Sequence, residues 1–263
     1  MKILLAAKYG PHGPVKIGGV QSWMATIAKA LTAQGHSVHL AQYGETLPDE
    51  SYDLGVLAHW QFTNALAKRC RQVVNVCHGI IAAERPKRGN VLYTSEELRD
   101  HWATPGEILR QPIDLDFWTP ATAQREYLTR FSYRDGLDMA VQVAQGFNLK
   151  YQHIRKATPR QAREALRQSA VVLATGRAAL EAMACGVPVV ICDHRAPYQG
   201  PLLDSDTLGS MAFNYSGRGG QEPVPATLSM ACEAAMARGS LRWHVEEQHD
   251  SRKVANQLIS VYS

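Results

Sequence analysis

Short apolar blocks alternate with longer stretches of helical period along most of the chain. Residues 2 to 7 form the first block, followed by the loop "KYGPHGPVKIGG". In the next stretch Val20, Met24, Ile27, Ala28 and Leu31 recur at helical spacing, and Gly35 supplies the stop. "HSVHLAQ" resumes a strand. Strand, glycine loop, helix and strand are the opening of a parallel βαβ unit. The alternation goes on: "YDLGVLAHW" predicts a strand, "QFTNALAKRC" a helix, "QVVNVCHG" a strand, and "NVLYTS" a strand leading into the helix "EELRDHWA", with Ser95 as its N-cap.

Between residues 104 and 125 the pattern breaks at "PGEILRQPIDLDFWTPATAQRE", which has three prolines and no helical period. The plan then repeats, with strands at "YLTRFS", "LKYQHI", "AVVLATG" and "PVVICD". The intervening helices are "GLDMAVQVAQGF", "PRQAREALRQS" and a short one from Ala178 to Cys185. Two or more helices close the chain. These elements predict an α/β protein with two Rossmann-like domains: residues 1–108, a linker at 109–124, and residues 125–263, the last helix returning to the first domain.

Composition narrows the class. Apolar residues make up 45% and charged residues 20% of the 263, an ordinary balance for a folded globular protein. The formal charge of +4 suits anionic ligands without requiring nucleic acid. Five cysteines with no C-x-x-C spacing read as reduced, mostly buried thiols of a cytoplasmic protein. The apolar run at the N-terminus is too short for a signal sequence or a membrane span.

In open parallel sheets the ligand site lies at the carboxyl ends of the strands. Gly18 and Gly19 precede the first helix, whose N–H groups can meet phosphate or an oxyanion; a plain turn is the alternative. His78 ends an apolar strand and is either a loop histidine or a group that touches sugar or acceptor. His59 ends another strand, but Trp60 follows it and favours packing. The most informative stretch is "GRAALEAMACGVPVV" at 176 to 190. There Gly176 permits close backbone approach, the following helix start offers its positive end to a diphosphate, and Glu181 can accept two bonds from ribose hydroxyls.

At "ALEAMACGVPVV" the chain resembles the nucleotide-sugar-dependent glycosyltransferases of the GT-B architecture, closest to the large retaining group 1 family. "GGVQSWMATIAKALTAQGHSVHL", "VVNVCHG", "YTSEEL", "LRQPIDLDFWTP" and "TRFSYRDGLDMAVQVA" are similar to further segments of that family in the same order. The resemblance implies two domains facing each other across a cleft and an enzyme that moves a hexosyl unit. The donor would be a UDP-, GDP- or ADP-sugar and the acceptor a hydroxyl on a glycan, lipid-linked glycan, small molecule or modified DNA base. Neither prosthetic group nor metal is implied.

By resemblance Arg130 contacts the donor diphosphate, assisted by Arg134, Arg177, Gly18, Gly19, Gly176 and Ala178, while Glu181 binds ribose. His78, Arg130 and Gly19 are the implied catalytic groups, with His78 and Ser95 on the acceptor side. Two positions depart from the family. Leu173 stands where a second glutamate usually sits, eight residues before Glu181, and Asp135 replaces a lysine. The glutamate loop is also similar to inverting N-acetylglucosaminyl transferases, so retention is expected with inversion open. A catalytically silent nucleotide-sugar binder and a nucleotide-sugar epimerase are the alternatives.

Overall fold

The computed structural model describes residues 1–8, 19–42, 44–80, 82–86, 90–121, 125–132, 138–193, 202–204, 206–216 and 224–261. The chain divides into two compact units, one of Met1–Pro112 with His249–Ser263 and the other of Ile113–Gln248. Each is built on its own sheet.

The first unit carries strands β1 (Lys2–Ala7), β2 (Ser37–Gln42), β3 (Tyr52–Leu57), β4 (Cys70–Cys77), β5 (Asn90–Tyr93) and β6 (Glu107–Ile108). Its helices are α1 (Gly19–Ala33), α2 (Trp60–Thr63), α3 (Glu96–Trp102) and the chain's last helix, Ser251–Ser260. The strands pair in the order β2-β1-β3-β4-β5-β6, all parallel. Period-two alternation explains the two layers that cover this sheet. Ile3, Leu5 and Ala7 pack with Trp23, Ile27 and Leu31 of α1 and with Val254 and Leu258 of the last helix. Leu4 and Ala6 point to the opposite face, against Leu47, Tyr52 and Leu57. A strand buried on both faces must be apolar throughout, and "ILLAA" is.

One expectation fails here. The helix predicted over "QFTNALAKRC" is only the four-residue α2, followed by a 3-10 turn at Leu66–Arg69 and then by β4. Thr63 turns its hydroxyl back to the carbonyl of Ala58 at 3.1 Å, and Cys70 pairs with Tyr52 across the sheet. The Thr63 back-bond and the strand pairing together override the periodicity.

The second unit carries β7 (Tyr127–Phe131), β8 (Lys150–Ile154), β9 (Ser169–Ala174), β10 (Val189–Asp193) and β11 (Leu202–Asp204), in the order β11-β10-β9-β7-β8. Only β11 runs antiparallel among the described strands. Its helices are α4 (Asp138–Gly146), α5 (Pro159–Arg167), α6 (Arg177–Ala184), α7 (Pro225–Arg238) and α8 (Arg242–Gln248). Val172, Ala174, Val189 and Ile191 face α5, α6 and α8 through Leu166, Leu180, Met183 and Val245. Leu128, Val171, Leu173 and Val190 face α4 and α7 through Val143, Leu228 and Cys232.

Both sheets share the doubly wound order second, first, third, fourth. The strand order therefore reverses between β1 and β3 in one unit and between β7 and β9 in the other. Crevices beyond the carboxyl ends at such reversals are where open α/β sheets hold ligands.

Candidate functional site

The carboxyl ends of β7 and β9 flank the reversal in the second unit. Arg130 lies one residue from the end of β7 and is 3% exposed, with Leu173 as its register partner on β9. Beyond β9 the chain turns through Thr175 and Gly176 into α6. Gly176 has φ 58° and ψ −135°, a backbone conformation open only to glycine. Its N–H donates to the carbonyl of Tyr215 at 2.9 Å, and the Thr175 hydroxyl donates to the same oxygen at 2.8 Å. The role of Gly176 at this turn is therefore conformational, and the N–H groups further into α6 are those that point along its axis.

The far end of α6 is equally determined. Gly186 has φ 71°; its N–H bonds to the Met183 carbonyl at 2.9 Å and that of Val187 to the Ala182 carbonyl at 3.1 Å, which is a Schellman motif. The Arg242 guanidinium donates to the Ala184 carbonyl, placing a cation at the negative end of the helix. Small residues let α6 sit close: Ala179, Leu180, Ala182, Met183 and Ala184 are all fully buried. The start of α6 is thus set by the glycine turn before it and by the buried face along it.

On this helix Arg177 Nε donates to Glu181 Oε1 at 2.9 Å, one turn apart. About a tenth of each side chain reaches solvent, 11% and 12%. Burial pushes the Arg177 guanidinium down and the Glu181 carboxyl up, and the attraction between them opposes both shifts; Asp114 adds a second negative charge acting on Arg177. Ala178 lies beside Arg177 in the first turn and is half-buried. Arg134 and Gly18 lie outside the described residues, as does Asp135.

In the first unit Gly19 begins α1 and is exposed. One turn on, the fully buried Trp23 meets the His78 ring edge-on at 5.2 Å between centroids. His78 follows β4, and its N–H donates to Glu84 Oε2 at 3.1 Å. Ser95 occupies the N-cap position of α3 with extended backbone, but its side chain makes no capping bond. Its hydroxyl is fully buried and has no hydrogen-bond partner among the described residues.

Two further residues, His59 and Glu84, complete this end of the sheet. His59, weighted above toward packing, has left-handed backbone with φ 55° and ψ 56°. Its Nδ1 accepts from the Lys8 N–H at 3.5 Å, and its Nε2 stands 3.8 Å from Glu84 Oε1. Glu84 lies in "IIAAERPKRG", a stretch without periodicity, so nothing local marked its carboxyl as buried. Burial raises that carboxyl to about 7, against a smaller lowering by the His78 N–H. His59 is lowered, first by burial and then by Lys8.

No protein-family model matches the chain, and no curated protein matches it in sequence. Solved structures do match in shape. AviGT4, a glycosyltransferase involved in avilamycin A biosynthesis, superimposes with a TM-score of 0.63 at 14% identity, over 98% of this chain and 96% of that one. Sucrose-phosphate synthase from Thermosynechococcus elongatus gives 0.61 at 14% identity, over 99% and 98%. The chain has the GT-B fold.

Within this GT-B chain, Leu173 is 1% exposed and packed among Leu128, Val171 and Val190, so the position eight residues before Glu181 is part of the core. Among the described residues no group of three or more His, Cys, Asp or Glu side chains could hold a metal ion. The same residues include no helix long and apolar enough to cross a membrane.

Proposed function

We propose that this protein is a glycosyltransferase that moves a hexosyl unit from a nucleoside-diphosphate sugar to a hydroxyl acceptor. The observation that carries the reading is the Glu181–Arg177 pair in the first turns of α6, directly after the glycine turn at the β7/β9 reversal. Two of the structures similar in fold, a glycosyltransferase and a sucrose-phosphate synthase, support the same class.

In this reading the Glu181 carboxylate accepts bonds from the ribose hydroxyls, and Arg177 keeps its rotamer fixed and its charge balanced. The donor diphosphate lies at the α6 N-terminus, near the Ala178 amide, where the helix dipole favours negative charge. Arg130, joined by Arg134 on the family resemblance alone, neutralises the charge that grows on the diphosphate as the glycosidic bond breaks. These cations and amides do the work a divalent metal does elsewhere, so transfer proceeds without one. On the acceptor side His78 and Gly19 hold the sugar and the incoming hydroxyl. By family resemblance the anomeric configuration is retained and the donor base is that of UDP, GDP or ADP.

A second reading has one observation in its favour. The leucine core at position 173 fits a nucleotide-sugar binder that performs no transfer. A thermal-shift screen against UDP, GDP and ADP sugars, followed by a product assay with the stabilising donor, separates the two. A donor at about 100 times its Kd raises stability by about 2.7 kcal/mol in either case. Sugar transferred to acceptor or water establishes the enzyme; stabilisation without turnover establishes the binder; no stabilisation by any donor contradicts both.

A further inference from the structure

Two titratable side chains at the first unit's sheet edge have no part in the reading above. His59 follows β3 and Lys8 follows β1, so the Lys8 N–H to His59 Nδ1 contact of 3.5 Å spans the strand-order reversal of that sheet. This contact orients the imidazole. With Nδ1 accepting, the neutral ring carries its proton on Nε2, which stands 3.8 Å from Glu84 Oε1. Holding a histidine in left-handed backbone costs about 1 kcal/mol or more, and such strain concentrates at functional positions.

Glu84 is fixed from its other side. The His78 N–H donates to Oε2 at 3.1 Å, and a β-carbon at Gly79 would stand only 3.0 Å from the same oxygen. Glycine at 79 therefore makes room for the carboxyl. Below it lies the buried Cys77, and the edge of the Trp23 ring closes on His78. The titratable groups around Glu84 are thus His59, His78 and Cys77, with Lys8 acting on His59. Glu84 and His59 each remain 11% exposed, so a small part of both side chains meets solvent.

We propose that Glu84, held by the His78 amide with the His59 ring beside it, binds the acceptor hydroxyl and takes its proton during transfer. The inference rests on the glycosyl-transfer reading and adds to it a base that the family resemblance did not supply. As the new bond forms between the acceptor oxygen and the anomeric carbon, the bond from that carbon to the diphosphate oxygen breaks. The electron pair leaves with the diphosphate and the acceptor proton goes to a Glu84 oxygen. Charge and atoms balance for attack from either face of the sugar. A carboxyl poised near neutral pH suits this task, because a base is most effective when its affinity for protons matches the operating pH.

The experiment compares the whole protein with Glu84→Gln and Glu84→Asp, using the donor found by thermal shift and a hydroxyl acceptor or water. Expected for Glu84→Gln are an unchanged melting profile at low pH, unchanged donor affinity by calorimetry, and a fall in kcat of about 10²- to 10⁴-fold. Glu84→Asp should recover part of the rate. The wild-type kcat/KM should fall on the acid side of about pH 7, and this limb should vanish in Glu84→Gln. Wild-type kcat in Glu84→Gln overturns the inference while leaving the transferase reading intact. Should that variant fail to fold, a wild-type profile flat from acid to neutral pH overturns it instead. A wild type that binds no donor and transfers nothing overturns the transferase reading and this inference with it.

Discussion

Arg177 and Glu181 lie one turn apart on α6 and share a 2.9 Å hydrogen bond with nearly all of both side chains shielded from water. Removing one member leaves the other's charge stranded. Arg177→Met should therefore cost about 3 kcal/mol of stability, whereas Arg177→Met with Glu181→Gln should recover much of that loss. Denaturant unfolding of the two single variants and the double variant measures the coupling. Additive losses would show that the pair contributes nothing as a pair.

Gly176 presents a backbone question separable from packing. A β-carbon there meets only the Asn214 carbonyl, at 3.8 Å, so space is not the obstacle. The φ of 58° with ψ −135° is. We expect Gly176→Ala to lose about 1–3 kcal/mol and to weaken donor binding by shifting the start of α6. Thermal unfolding and calorimetry of that variant check both effects, and a neutral result would mean that the turn adapts.

Glu84 makes stability depend on pH in a stated direction. Its carboxyl is raised from an ordinary 4.5 to about 7 in the folded chain, so between those values the folded state holds a proton that the unfolded state has released. The contribution is fully present below about pH 4.5 and is lost as pH rises through about 7, amounting to about 3 kcal/mol. His59, lowered by burial, contributes with the opposite slope. The clean measurement is the difference between wild type and Glu84→Gln across this range. Parallel curves would contradict a buried, protonated Glu84.

Thiol chemistry offers a check on the core. Burial pushes Cys77, Cys185 and Cys232 up to about 12 and Cys70 to about 11. All four should react slowly with a thiol reagent in the native protein and rapidly once it is unfolded. Fast labelling at any of them under native conditions would show local opening.

The strands were legible because parallel sheets covered on both faces demand continuous apolar runs, and "ILLAA", "AVVLA" and "PVVIC" supply them. The three-residue β11 was not, since so short a strand carries no period. The α6 start was legible for a local reason: Gly176, Glu181 and Gly186 report their own backbone and cap requirements within eleven residues. His59 and Glu84 were not, because twenty-five positions separate them. Only the parallel pairing of β3 with β4 brings the ends of those strands together. Ser95 shows the limit from the other side: it stands where a cap should, yet its hydroxyl makes no capping bond.

Calorimetric titration of Glu181→Ala with the donor that stabilises the wild type isolates the grip of this carboxylate on ribose. Affinity should fall by about 10- to 100-fold, the equivalent of one or two charge-assisted bonds, with the fold intact. An affinity equal to that of the wild type would contradict that grip.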